Sequence, residues 1–282
     1  MIYELTNKDL TIQINSLGAE LISCKNKEGF EFIHQPHECW VGQAKNLFPS
    51  IGQTMDNYIL VDGKKYKAKQ HGFAKDMEFQ LVASDETFLS FMLEANEETK
   101  QYLPYEFRLY IEFFLNGNEL KQNYKVVNCE NSVIYFAVGS HTGFTTDENS
   151  YLDMGTNGSL TEIERKDMMF LTGKCENYLV KNGEILLTKE SYNDGADILT
   201  GFNEKVITLR NKKSERAVSV DFTGFQYMAL WAPSNSDIAI SIMPWCGLPD
   251  AQDRTGNFEE KQGNVRLEKN GEFAVYQIIK FM

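Results

Sequence analysis

Nowhere in this 282-residue chain is there a run of about 18 apolar residues, the minimum for a membrane-spanning helix, so no membrane is expected as a partner. Positive charge is also short, with 28 Lys and Arg against 40 Asp and Glu, a net charge of −12. A balance of that sign repels polyanions, which argues against a nucleic-acid partner. The five cysteines, Cys24, Cys39, Cys129, Cys175 and Cys246, are odd in number and form no Cys-x-x-Cys pair. That spacing excludes a disulfide framework and a zinc ribbon, and free, mostly buried thiols are expected. The opening Met1-Ile2-Tyr3-Glu4-Leu5 has no basic-then-apolar leader, so the expected compartment is the cytoplasm.

Histidine is scarce as well, with four in all. His34 and His37 lie beside Cys39, but Pro36 breaks any helix that would align them and three converging ligands are lacking. A polar loop is expected there, and neither a metal nor a cofactor. No Gly-x-Ser-x-Gly elbow or phosphate-cradling glycine loop occurs.

What the chain does have is a period of two. Phe107, Leu109, Ile111, Phe113 and Leu115 alternate with Arg108, Tyr110, Glu112, Phe114 and Asn116, the pattern of a half-buried strand. Asn116-Gly117-Asn118 then signals a hairpin, because these residues tolerate the positive φ of such turns. Similar runs occur at residues 10–14, 218–222 and 238–242 and near the C-terminus, separated by Asp62-Gly63, Asn182-Gly183 and Asn270-Gly271. A length of 282 allows two domains, yet no linker or repeat divides the chain. Residues 1–282 therefore read as one all-β domain of mainly antiparallel strands in two packed sheets. Lys64-Lys65-Tyr66-Lys67 suits a charged edge strand. Short helical turns are expected only within residues 163–171 and at the start of residues 44–52.

Three segments bear on chemistry. His71 lies in Gln70-His71-Gly72-Phe73, and His141 in Gly139-Ser140-His141-Thr142-Gly143; the nearby glycines would let a ligand approach the backbone. Ser140 and His141 are no catalytic pair, since neighbours on a strand point to opposite faces. In the segment from Ile238 to Asp250, Ile238, Ile240 and Ile242 mark a core face, so Ala239, Ser241 and Met243 should face a groove. Trp245 offers either a flat surface for a sugar or a core side chain.

These segments resemble the aldose 1-epimerase (galactose mutarotase) superfamily, in its lactose-operon-associated branch. The resemblance runs nearly end to end, through Leu17-Gly18-Ala19-Glu20-Leu21, Leu47-Phe48-Pro49, Ile51-Gly52, Gln70-His71-Gly72-Phe73 and Tyr105-Glu106-Phe107. It continues through Gly139-Ser140-His141, Leu230-Trp231 and Pro244-Trp245-Cys246-Gly247-Leu248-Pro249-Asp250. It implies a single-domain β-supersandwich that binds an aldose such as galactose or glucose and interconverts its anomers. A base takes the anomeric hydroxyl proton while an acid protonates the ring oxygen, each contributing ~10²–10⁴ in rate. By resemblance, His141 matches the acid and His71 the residue that binds and polarises the sugar. A family aspartate falls at Asp194 or Asp197.

Two positions depart from the family pattern. Gln53 stands where an arginine is expected, and Met243 where the catalytic glutamate is expected. A thioether has no proton equilibrium and cannot serve as a base. Three readings follow: an epimerase whose base comes from elsewhere (Asp250, Asp237 or a water), a non-catalytic sugar-binding protein, and a sugar-phosphate epimerase. The first leads because both histidines remain. The third ranks last, because phosphate favours clustered Arg and Lys and Gln53 moves the other way.

Overall fold

The alternation of side chains becomes burial, strand by strand. Along Phe107–Asn116, the five odd-numbered residues are buried while Arg108, Phe114 and Asn116 are exposed. Gly117, at φ 56°, opens the turn into Glu119–Asn128, which pairs from Glu119 opposite Asn116. The computed structural model describes residues 1–155, 158–166 and 169–282.

Two large antiparallel sheets dominate. One has nine strands, with Glu184–Leu186 at one edge and Gln80–Ser84 at the other; Glu119–Asn128 and Glu272–Phe281 pair within it. The other has seven and ends on Ala44–Leu47, followed inward by Val138–Thr145, Ala239–Cys246, Tyr227–Trp231 and Asp197–Thr200. Leu109 and Ile111 of the first sheet share one core with Ile240 and Ile242 of the second. This is an all-β supersandwich. Each such side chain contributes ~1.5–3 kcal/mol by leaving water.

A polar cross-link ties the sheets together inside that core. Asn46 Nδ2 donates to the carbonyls of Gly18 (2.9 Å) and Ala19 (2.7 Å), and its Oδ1 accepts from Gln122 Nε2 (2.8 Å) and Tyr124 OH (3.0 Å). Gln277 Nε2 donates to Gln122 Oε1 (2.8 Å), and Ser140 Oγ donates to Gln277 Oε1 (3.4 Å). Every donor and acceptor of the Asn46 amide is engaged, as burial requires. Asn46 and Ser140 thus face the core, and their neighbours Lys45 and His141 face the opposite side of the sheet.

The helical expectations fail. Residues 44–47 are strand, because Ala44 and Asn46 bury one face against the neighbouring sheet. Residues 163–166 and 170–171 belong to the antiparallel strands Gly158–Lys166 and Phe170–Val180; residues 167 and 168 lie outside the described residues. Ile163 and Leu171 have a helical spacing, but they bury into one apolar cluster from opposite arms of a hairpin. The cysteines need correcting too. Cys24 and Cys246 are buried, while Cys39, Cys129 and Cys175 are exposed on loops and an outer strand. Lys64–Lys67 forms a strand with exposed lysines, but among the described residues it pairs with Tyr58–Val61 in a separate two-stranded sheet and is not an edge of either large sheet. Among the described residues, no helix is long and apolar enough to cross a membrane.

Candidate active site

The outer face of the seven-stranded sheet is the floor of a cavity of about 590 Å³, within the ~300–1,000 Å³ of small-molecule sites. Register explains which side chains meet there. His141 pairs with Lys45, Gly139 with Leu47 on one side and Trp245 on the other, and Met243 with Ala229. Gly139 opposite Trp245 and Thr142 opposite Ile242 put Met243 abreast of His141. The loop carrying His71 closes one wall. The imidazoles of His71 and His141 stand perpendicular, with centroids 5.5 Å apart. Trp245 lies 6.1 Å from His71, and Trp40 and Trp231 lie 5.5 Å and 5.8 Å from His141.

The glycines serve this packing rather than a ligand's approach to the backbone. A Cβ on Gly143 would sit 2.4 Å from the Trp40 ring, and one on Gly139 would sit 2.7 Å from Trp245 Cδ1. Gly72, at φ 71°, lies against the Phe48 carbonyl, where a Cβ would come within 2.1 Å. His71 itself adopts φ 61°, a conformation that costs a non-glycine residue ~1–3 kcal/mol and clusters at functional sites. Two hydrogen bonds hold it there. Its N–H donates to the Gly52 carbonyl (2.8 Å), and its Nδ1 accepts from the Gly52 N–H (3.1 Å). Because an amide N–H can only donate, the neutral ring carries its proton on Nε2.

Both imidazoles are half-buried and keep an edge open to the cavity. Enclosure disfavours their charged form. It depresses His141 to about 4, with help from Lys45, and depresses His71 well below the ordinary range, with help from His141, Lys75, Lys45 and Lys261. Both are neutral at neutral pH. Nδ1 of His141 lies 3.4 Å from Ser241 Oγ.

A family model described as aldose 1-epimerase matches residues 1–279. The chain belongs to the aldose 1-epimerase family. Protein LacX (chromosomal) of Lactococcus lactis subsp. lactis is 28% identical over 279 residues, covering 93% of each chain. A galactose mutarotase related enzyme from Lactobacillus acidophilus superposes with a TM-score of 0.94 at 29% identity, over 100% of this chain and 97% of that one. A galactose mutarotase-like protein from Lactobacillus casei ATCC 334 matches with a TM-score of 0.94 at 25% identity, over the whole of both chains.

Set against the family pattern, the expected residues separate. His71, His141, Gln53, Met243 and Trp245 all line the cavity. Trp245 is a floor residue, 2% exposed, whose indole N–H donates to the Ser140 carbonyl at 3.1 Å. Met243, 1% exposed, faces the cavity as its alternation implies, but the other face of its strand is equally buried. Gln53 donates from its amide to Asn57 Oδ1 at 2.9 Å. The aspartates do not join them. Asp194 is exposed, and Asp197 turns away to accept from Tyr178 OH (3.1 Å); the cavity is lined at that point by Gly195, Ala196 and Ile198. Asp250 is buried between Lys261 (2.5 Å) and Arg254 (3.1 Å), and Asp237 pairs with Lys189 (3.6 Å). Neither stands in the cavity, and among the described residues no carboxylate lines it.

Trp40 and four cations, Lys45, Lys69, Lys75 and Arg165, also line the cavity, and no catalytic motif marks them in the sequence. His34 lies in the expected polar loop but is buried; it stacks on Trp40 at 4.7 Å with the ring planes 5° apart, and its Nε2 donates to the Trp40 carbonyl (3.0 Å). Gly143 was the available signal for Trp40, since only a missing side chain admits the ring.

Proposed function

We propose that the protein is a sugar-binding aldose 1-epimerase in which one histidine does the work of the absent glutamate. The observation that carries this reading is the perpendicular imidazole pair, 5.5 Å apart in an aromatic-walled cavity. A pyranose would lie against Trp40 and Trp231, with His71 donating its Nε2 proton to a sugar oxygen. His141, neutral at rest, accepts the anomeric hydroxyl proton as the bond from C1 to the ring oxygen breaks and C1–O1 becomes a carbonyl. The imidazolium so formed returns that proton to the ring oxygen. The aldehyde rotates, and the reverse steps close either anomer. The resting ring thus begins as a base, and acts as the acid that the resemblance implies only once it has gained that proton. A cytoplasmic setting accompanies this reading, supported by the five free cysteines.

Polarimetry of freshly dissolved α-galactose and α-glucose tests it. The expected outcome is a rate above buffer that His141→Ala abolishes. A second reading, a non-catalytic sugar-binding protein, is favoured by Met243 and by the lack of a carboxylate among the described lining residues. Sugar binding at the buffer rate of mutarotation would select it.

A further inference from the structure

Resting on the sugar reading above, we infer that the sugar taken by this cavity carries an anionic group, a phosphate or a carboxylate, held by Lys45, Lys69 and Lys75. The chain has a net charge of −12, yet four cations and, among the described residues, no carboxylate line this one cavity. Such a concentration of the minority charge is a local device for attracting a negative ligand against the overall field.

Hydrogen-bonding capacity points the same way. Lysine and arginine donate and cannot accept. A neutral sugar presents hydroxyl hydrogens that need acceptors, and this lining offers few beyond Gln53, Gln70 and His141, because His71 Nδ1 is taken by the Gly52 N–H and its Nε2 carries a proton. Phosphate or carboxylate oxygens need only donors, which the lysines supply in excess.

The lysines carry more positive charge than their structural partners offset, although Lys69 also lies 5.2 Å from the Tyr102 ring. Lys69 (3.0 Å) and Lys75 (3.2 Å) share the single carboxylate of Asp76, and these pairs are partly exposed, where such contacts contribute ~0–1 kcal/mol. Lys75 also donates to the Gly72 carbonyl at 2.8 Å. Lys45 makes no ion pair or hydrogen bond with any described residue, and its register opposite His141 aims it into the cavity. Glu20 attracts Lys45 without pairing with it, since its carboxylate accepts from the backbone of Gln43 (3.3 Å) and Ala44 (3.0 Å). Arg165 lies where Asp197, Glu162 and Asp194 balance its charge, so the surplus sits at the lysine end. In sequence a phosphate-bearing substrate ranks last for want of clustered cations, and folding supplies the cluster from two separate segments, the strand with Lys45 and the loop with Lys69 and Lys75.

Ring opening needs a free anomeric hydroxyl, so the anion belongs elsewhere on the sugar, and hexose 6-phosphates and uronic acids are simple probes that meet that condition. Titration calorimetry of the whole protein with galactose and glucose, their 6-phosphates and their uronates tests this at low and at high salt. The expected result is binding of at least one anionic class about tenfold tighter than the parent hexose, with the advantage shrinking as salt screens it. Which class wins identifies the anion. Lys45→Gln is expected to lower that preference about tenfold and Lys69→Gln, its charge shared with Asp76, about threefold. If Lys45→Gln does not fold, Lys69→Gln carries the test. Hexoses binding as tightly as their anionic forms would overturn this inference while leaving the sugar reading intact. Failure of every sugar to bind would overturn both.

Discussion

Replacing Met243 with glutamate sets two magnitudes against each other. Met243 is 1% exposed and packs with Ala229, Trp245, Ile198 and Leu47. A carboxyl group buried there without full hydrogen bonding costs ~1–3 kcal/mol of stability. A general base, in return, is worth ~10²–10⁴ in rate, about 3–5 kcal/mol of barrier. The gain shrinks tenfold for each unit by which burial lifts the new carboxyl above the assay pH. Lys45 opposes that lift from one strand beyond His141. The expected outcome for Met243→Glu is mutarotation accelerated about a hundredfold at neutral pH and rising further with pH, together with an unfolding midpoint a few degrees lower. Polarimetry on the α-anomer and thermal unfolding read the two effects. A folded variant that still binds sugar, with an unchanged rate at every pH, would refute the reasoning.

Two further outcomes follow from the same geometry. Burial holds His141 at about 4 against an ordinary 6.5, with the positive charge of Lys45 adding to the effect. Between those values the unfolded chain binds more protons, so stability is full above about pH 6.5 and falls as pH drops toward 4. The excess stability of the wild type over His141→Asn in urea unfolding should therefore shrink by up to about 3 kcal/mol across that window; a constant difference would mean that the ring is not held neutral. Gly143→Ala places a methyl group 2.4 Å from the Trp40 ring. It should cost ~1–3 kcal/mol and weaken sugar binding about tenfold, with altered tryptophan fluorescence; unchanged affinity would show that Trp40 is not part of the sugar wall.

The fold class was legible because a period of two is a local property, as Phe107 to Leu115 show. The convergence of His71 and His141 was legible only through the order of family-like motifs. Trp40 was hidden in a segment rich in polar residues, because its place depends on Gly143 and on stacking with His34. Lys45 was hidden for a related reason. Its pairing with His141 is a matter of strand register between distant parts of the chain. Asp197 is absent from the cavity lining because the strand beginning there turns Ile198, not the carboxylate, inward, and Asp194 because it lies exposed in the turn before that strand.

The strand Val138–Thr145 and its neighbour Ala44–Leu47 each carry an inter-sheet cross-link on one side and a cavity residue on the other. Interior glutamines that never meet solvent are therefore levers on the geometry of the cavity. Changes at Gln122 or Gln277 would shift its lining, although neither side chain reaches it.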